Sequence, residues 1–447
     1  MVLNHYAHAQ CVDEELWHVV SDSLGTLFVD AEGKALSVAA NAYARAGFRH
    51  DGASATISSW ALALARQGAL EGRTVATLVN AFSKLRVHDP PLLDTLADHL
   101  LTGRPALNAL DIALIVNGWA RFDRQDGRVL QALRGPMLRN MQDFSVQHLA
   151  MIAHAHGHFN LTDEELLTSL AARLQAHCQS GEPVSDRHLA SIVHALVVRL
   201  GMQPPDLARV VEYSLPRIIR SMDRRDIVLT VPALAQLPGL QATREFLEPV
   251  FAHCVDVFGQ LTENAVVSIL EAAAQLGHDS FDFWGRAARH CAEDVARGGW
   301  EGKYIGALAT VVAQVAAAGG GVTPDARDEL FRGIARAVDG GGIERLELRY
   351  VADVAVACAI CDARIDSLLA SLKKRGAELL AAVPAPTQAT ADVGEEEDPD
   401  DASDLEILAV DDGGSWAEKD RQRLRGALEK LLSGQQSSGA PAAYSSG

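Results

Sequence analysis

The sequence predicts an all-α protein, an α-solenoid of about ten two-helix repeats with a period of 37–43 residues. Three observations lead to this prediction. A seven-residue phrase recurs along the chain, the spacing between its copies stays within that range, and a short polar turn and a second apolar segment follow the best copies. A period of this length is typical of helical repeat proteins, whose units stack on their neighbours instead of sharing one closed core.

The phrase is clearest as NAFSKLR at 80–86. It recurs as NAYARAG at 41–47, NGWARFD at 117–123 and EAAAQLG at 271–277, with weaker copies at 4–10, 154–160, 194–201, 232–238, 313–319 and 356–362. The copy at 194–201 is one residue longer than the others. Small residues in the second place predict close approach of helix backbones. The opening Asn is expected to hydrogen-bond at a helix crossing, which is a structural role.

One repeat illustrates the order of helices and turns that the others share. Residues Val75, Leu78, Val79 and Phe82 recur at the spacing of one helical face, which predicts a first helix, called helix A. The segment 88–91, His-Asp-Pro-Pro, ends that helix and begins the next, because proline is tolerated in a first turn but not in a helix interior. A leucine stripe then forms helix B at Leu92, Leu93, Leu96 and Leu100. Elsewhere Thr162 is the expected N-cap of a helix B.

The repeating pattern of helix A, turn and helix B ends near residue 380, and this point divides the chain into repeats and a C-terminal segment. We expect the repeat solenoid over 1–382, an acidic disordered linker over 383–414, a short amphipathic helix over 415–433 and a flexible tail over 434–447. At the other end, the first copy of the phrase begins at Asn4. We therefore expect either that the first repeat is incomplete or that upstream residues are missing. The missing residues would include a targeting peptide, because none is visible in the chain.

Charge and composition narrow the classes of function. The formal net charge is −18, and residues 383–447 carry 14 acidic but only 5 basic groups. An acidic chain argues against phosphate binding over its whole surface. No run of 18 apolar residues is present, so we expect no membrane partner. The scattered cysteines form no disulfide framework, which indicates a reducing compartment.

Basic residues in the fifth place of the phrase are the best candidates for RNA contact. This place holds Arg45, Lys84 and Arg121 in three early copies, and it becomes Gln236 and Gln275 later. Equivalent positions of stacked repeats align, so the three cations are expected to form a stripe that follows an RNA backbone, or else to be solvated residues at helix ends. A second candidate cluster is Arg217, Arg220, Arg224 and Arg225, which is not interleaved with aromatic residues.

Other motifs do not predict a catalytic or metal site. His154 and His158 lie one turn apart, but no acidic or Cys partner is near them in the sequence. Cys358 and Cys361 have no second pair. No nucleophile–base pattern stands out, so we expect no enzyme activity, no cofactor, no metal and no small-molecule substrate.

The phrases at Asn41, Asn80, Asn117 and Glu271, each followed by a second helix, resemble the 37–38-residue repeats of organellar helical-repeat proteins. These are the heptatricopeptide and octotricopeptide types and the related repeats of FAST-kinase-like proteins. The resemblance covers about 1–380. Many relatives carry a C-terminal nuclease-like RAP domain, which is not recognisable here.

The resemblance implies a location in mitochondria or plastids and either RNA binding or a place in an organellar ribosome. We therefore expect a non-catalytic scaffold of an organellar ribonucleoprotein in the mitochondrial matrix. The leading hypothesis is that the protein is a structural, rRNA-contacting component of a mitochondrial ribosome, with ribosomal RNA and neighbouring subunits as partners. Two alternatives stay open: a free-standing RNA-binding factor for transcript maturation or stability, and a protein-interaction solenoid without nucleic acid.

Overall fold

Helix pairs of the predicted kind fill the computed structural model, which describes residues 5–7, 9, 13–27, 33–103, 105–123, 127–339, 346–382 and 415–433. The side chains of 27, 339, 380–382, 415–418 and 431–433 are not part of that description. The predicted linker at 383–414, the predicted tail at 434–447 and three residues of the copy at 4–10 (Asn4, His8 and Gln10) lie outside the described residues. The chain divides into two units, Met1–Gln241 and Ala242–Gly447, called here the first and second unit.

Even-numbered helices of the first unit are A helices, and odd-numbered helices are B helices. They are α1 Glu14–Leu27, α2 Gly33–Ala46, α3 Asp51–Arg66, α4 Gly72–Leu85, α5 Pro90–Asp98, α6 Ala109–Arg121, α7 Arg128–Arg139, α8 Val146–His158, α9 Glu164–Gln179, α10 Asp186–Val193, α11 Pro205–Ile218 and α12 Arg224–Leu234. π-Helical turns at His99–Gly103 and His194–Arg199 extend α5 and α10. Each A helix packs against the next A helix from α2 to α12, and most B helices pack against the next B helix. The unit is therefore a two-layer stack.

The second unit repeats this arrangement. Its helices are α13 Arg244–Val257, α14 Glu263–Gln275, α15 Phe281–Arg297, α16 Gly302–Ala317, α17 Pro324–Asp339, α18 Leu348–Cys361, α19 Asp366–Ala382 and α20 Ser415–Ser433. The odd-numbered helices α13 to α19 form one layer, and α14, α16 and α18 form the other. The final helix α20 packs against α18, where the next A helix of a longer stack would lie. The predicted all-α fold of stacked helix pairs is confirmed, and the described residues contain no β-strand.

Local sequence sets where the helices begin. The Asp89 side chain accepts from the Leu92 amide at 3.1 Å and caps α5 just before its two prolines. Asn108 caps α6 in a reciprocal box with Asp111. The prediction of Thr162 as a cap was wrong by one residue: Asp163 caps α9, and its carboxylate also binds Arg134 at 2.5 Å. Side-chain acceptors at these positions satisfy amides that lack a partner within the helix.

The phrase itself is the end of helix A together with the residue that stops it. In eight described copies its last residue has a left-handed backbone, with φ between 49° and 71°: Gly47, Arg86, Asp123, Asn160, Gly201, Gly277, Gly319 and Asp362. The next amide then bonds back to a carbonyl within the helix, as Val87 N does to Phe82 O at 3.0 Å. This is the glycine-type helix stop, which turns the chain toward helix B.

Small residues in the second place hold neighbouring A helices together. A Cβ added to Gly118 would lie 2.5 Å from Val79 Cγ1 and 3.1 Å from Val79 O, so α6 rests directly on the backbone of α4. Ala42, Ala81 and Ala155 occupy the same place in other copies and have no exposed surface. The opening Asn80 and Asn117 are also buried. The residues of the phrase are therefore those through which one A helix packs on the next.

No helix among the described residues is long and apolar enough to cross a lipid bilayer.

Candidate nucleic-acid interface

Three cations lie at the same end of three consecutive A helices. Arg45, Lys84 and Arg121 each occupy the last turn of their helix, on α2, α4 and α6. These helices are neighbours in the A layer of the first unit. All three side chains are exposed. The structure thus aligns the residues that the sequence predicted to align, and we call this set the basic ladder.

The members of the basic ladder lie within electrostatic reach of one another. The pKa of Lys84 lies below its usual range because of partial burial and because the charges of Arg121 and Arg45 disfavour its protonated form. Among the described residues, none of the three cations forms an ion pair with a carboxylate. Like charges held together without a counter-charge form a focused positive potential that attracts anions. The basic ladder therefore favours a polyanion as ligand.

Several arginines elsewhere on the surface are paired with carboxylates. Arg134 binds Asp163 at 2.5 Å, and Arg297 lies 3.3 Å from Asp294. Arg286 pairs with both Asp256 and Asp282. Exposed pairs of this kind leave little net potential at the surface. The basic ladder differs from these positions because its three cations end adjacent A helices and none of them is paired with a carboxylate among the described residues.

Beyond Arg121 the ladder continues with weaker cations. The pKa of His154 is lowered by burial and by the charges of His158, Arg121, His194 and Arg225, so these groups also lie near one another. His158 Nε2 lies 3.0 Å from Asp123 Oδ1, which supplies a counter-charge at this position. The positive potential is therefore strongest over α2, α4 and α6.

The four arginines of the predicted cluster are divided between two helices and the turn that joins them. Arg217 lies on helix B α11, with its guanidinium 4.0 Å from the centre of the Tyr213 ring. Arg220 occupies a 3₁₀ turn, Arg224 begins α12, and Arg225 lies close enough to His154 for its charge to lower the pKa of that residue. The sequence reading missed Tyr213, which is one helical turn before Arg217 and is 48% exposed. This residue pair offers a flat cationic surface on helix B α11.

An open cavity of about 610 Å³ lies against the basic ladder. Its lining combines two ladder members with residues that follow the A helices: Ser83, Lys84, Arg86, His88, Arg121 and Phe122. The His88 and Phe122 rings meet edge to face, with 6.3 Å between their centres. Sequence reasoning followed the fifth place of the phrase and missed Arg86, which stands in the seventh, and His88 just after it.

The described A-layer surface around Gln275 in the second unit carries charges of both signs. Gln275 replaces the ladder cation on α14, and a cavity of about 800 Å³ beside it has a mixed lining that includes Glu271, Lys303, Asp353 and Arg423. Two of the three cations in this lining are paired, Lys303 with Glu301 at 3.1 Å and Arg423 with Asp353 at 2.8 Å, and the third, Arg349, lies within electrostatic reach of Asp353. Burial raises the pKa of Glu271. This surface does not favour phosphate.

The structure shows the surroundings of the His154–His158 pair and of the Cys358–Cys361 pair. His154 and His158 stack with 6.3 Å between ring centres, and within the described residues no group of three or more His, Cys, Asp or Glu side chains could hold a metal ion. Cys358 and Cys361 are buried in α18. Burial raises the pKa of the Cys361 thiol to about 11, so the reactive thiolate is disfavoured at neutral pH.

Comparison with known proteins gives one family. Residues 7–295 match the family described as "RNA-editing substrate-binding complex 6 protein", which is well over half of the chain. No protein with a curated description matches.

Solved structures resemble the chain only distantly. The maize pentatricopeptide repeat protein PPR10 is 13% identical over 85% of this chain, with a TM-score of 0.31, and the chain spans 53% of that protein's length. PPR10 in complex with an 18-nucleotide psaJ RNA element is 12% identical, with 87% and 72% of the two chains covered and a TM-score of 0.22. A structure of the AP-3 complex, described as a homology model, is 11% identical, with 96% and 83% covered and a TM-score of 0.34.

Proposed function

The chain belongs to the RNA-editing substrate-binding complex 6 protein family, and from this premise we propose that it is a non-catalytic, RNA-binding helical-repeat subunit of an RNA-editing complex. Its ligand is single-stranded RNA, which the basic ladder holds by its phosphates. Its place is the mitochondrial matrix, among the protein subunits of that complex.

The uncompensated charge of the basic ladder is the observation that carries this proposal. Arg45, Lys84 and Arg121 are exposed, lie on adjacent helices and lack carboxylate partners among the described residues. Neighbouring packed helices lie about 8–10 Å apart, so the cations recur at a regular spacing along the stack. A row of cations binds a nucleic acid backbone without reading its sequence, because phosphates repeat identically. The net charge of −18 does not oppose this, since binding depends on the local potential.

The family description favours a role in RNA processing over a role in a ribosome. The first hypothesis from the sequence was a component of the mitochondrial ribosome. The family is described by an RNA-editing substrate-binding complex, and this agrees better with the hypothesis of an RNA-binding factor for transcript maturation. The narrower resemblance to heptatricopeptide or octotricopeptide repeats stays a prediction.

Removal of the ladder charges tests the proposal directly. We expect the triple variant Arg45→Ala, Lys84→Ala, Arg121→Ala to bind a labelled single-stranded RNA at least about tenfold more weakly at 0.1 M salt. The slope of log K against log salt concentration should fall by about 2, because each lost phosphate contact on a single strand removes about 0.7. Fluorescence anisotropy at several salt concentrations measures both quantities.

A charge-matched control separates this local effect from the change in net charge. Arg286, Arg297 and Arg364 are each paired with a carboxylate in the second unit, and their replacement by Ala removes the same three charges. This control is expected to leave affinity and salt slope nearly unchanged. Equal losses in the two triple variants would contradict binding by the basic ladder.

Sedimentation of organelle lysate with and without RNase tests the assembly. RNase-sensitive particles that are distinct from ribosomal subunits are expected. Co-migration with ribosomal subunits at high salt would favour the ribosomal alternative instead. Sedimentation that is indifferent to RNase and free of ribosomal association would favour the protein-interaction alternative.

A further inference from the structure

One copy of the phrase ends in a residue that its backbone disfavours. Arg86 has φ 54° and ψ 38°, which is the left-handed region. The other described copies place Gly, Asp or Asn at the left-handed stop, as at Gly47, Asp123 and Asn160. Glycine has no Cβ to clash there, and Asn and Asp tolerate the conformation through local hydrogen bonds. Arginine has neither property, so the helix stop alone does not explain Arg86.

The surroundings of Arg86 offer a different explanation. Arg86 lines the cavity of about 610 Å³ together with Lys84 and Arg121 of the basic ladder. Its side chain is exposed, and within the described part of the chain it pairs with no carboxylate. Three cations therefore face one open space without a counter-charge. A backbone conformation that is strained and retained at such a place is typical of a functional residue.

The cavity also offers more than charge. A volume of this size lies in the range of pockets that hold small ligands. The His88 imidazole at its wall is exposed and is supported at its edge by the buried Phe122 ring. Flat rings beside a cationic groove are the usual means by which proteins hold unpaired bases. Charge and ring together match a phosphate with its attached nucleoside.

We propose that Arg86, Lys84 and Arg121 form a pocket for one nucleotide of the bound RNA, with its phosphate on the three cations and its base against His88. This inference rests on the RNA-binding function proposed above and adds to it a defined position along the strand. Arg86 acts as a phosphate ligand, since its planar guanidinium can donate two parallel hydrogen bonds to phosphate oxygens. The strain at its backbone is retained because the pocket needs its charge.

Replacement of Arg86 by glycine gives a result that a structural residue would not give. We expect Arg86→Gly to bind single-stranded RNA several-fold more weakly, with a salt slope reduced by about 0.7. The melting temperature should stay unchanged or rise, because glycine relieves the left-handed strain. Asn160→Gly is the matched control, since Asn160 ends the next A helix but one with φ 50° and does not line the cavity. It should leave RNA affinity unchanged.

His88→Ala tests the base contact. We expect weaker RNA binding with an unchanged salt slope, because stacking releases no counterion. The same variants are titrated with a poly-glutamate peptide of matched charge. A loss for Arg86→Gly that is as large for the peptide as for RNA would mean a general anion site and would overturn the nucleotide pocket.

Two further outcomes separate this inference from the proposed function. If the triple ladder variant loses RNA affinity and Arg86→Gly does not, the RNA-binding function stands and the pocket is wrong. If both Arg86→Gly and Arg86→Asn lower the melting temperature together with the affinity, Arg86 is a structural residue and the inference is overturned. Loss of affinity at full stability in both variants supports it.

Discussion

Replacement of Gly333 by alanine is expected to lower the free energy of unfolding of the second unit by about 2–3 kcal/mol. A Cβ at this position of α17 would lie 2.5 Å from Ala292 O and 2.6 Å from Ala292 Cα on α15. Both atoms belong to the backbone of a helix, so neither can turn aside as a side chain would. The two B helices must therefore separate, which opens the packed layer between them.

Gly285→Ala is the matched control and should have the opposite sign. Gly285 lies within α15, and a Cβ there would meet nothing within 4 Å. Alanine in an open helical position stabilises by about 0.5–1 kcal/mol relative to glycine. Urea denaturation of the full chain, followed by circular dichroism, measures both variants. A stabilised Gly333→Ala variant would show that α15 and α17 do not approach as closely as the structure has them.

The second large effect is expected at the C-terminal helix. Leu424→Asp should release α20 from the second unit, with a loss of about 3 kcal/mol or more in the free energy of docking. Leu424 has no exposed surface and packs near Gly376 of α19. Beside it, Arg423 bridges Asp353 of α18 at 2.8 Å and Asp420 at 3.0 Å. A carboxylate at the Leu424 position would lose its hydration, because this position is fully buried. Its charge would therefore oppose docking.

Hydrogen exchange measures this release. In the Leu424→Asp variant, amides of 419–430 should exchange as in a free peptide, and those of α18 should exchange faster than in the parent protein. Gln422→Asp introduces the same charge at an exposed position of the same helix and should preserve protection. Unchanged protection in the Leu424→Asp variant would mean that docking depends on contacts other than this side chain.

Periodicity was enough to predict the stack of helix pairs, because each pair repeats the same pattern of apolar residues and turn residues. The phrase predicted where A helices end, and its fifth place predicted the alignment of Arg45, Lys84 and Arg121. The role of the seventh place was missed. Glycine, arginine, aspartate and asparagine share no obvious chemistry in the sequence, and only the backbone angles show that they perform one task. Arg86 was missed for this reason.

Contacts between distant segments could not be predicted in this way. The sequence predicted a short amphipathic helix over 415–433, but its partner was not predictable from a pattern of apolar residues alone. Arg423 and Asp353 are 70 residues apart and belong to different kinds of segment. Likewise the arginines at 217–225 are close in sequence, yet the chain passes from helix B to helix A between them, so Arg217 and Arg225 belong to different helix layers.

The π-helical turn at His194–Arg199 coincides with the one copy of the phrase that showed an added residue inside helix A. An inserted residue would ordinarily rotate everything after it by about 100° around the helix axis. A wider turn, in which each amide reaches one residue further back, absorbs the insertion where it occurs. The residues after the turn therefore keep their phase: Gly201 ends the helix with a φ of 61°, as the last residues of other copies do, and helix B α11 follows. Insertion and deletion can accumulate inside single repeats of this stack while the alignment of side chains from one repeat to the next is preserved.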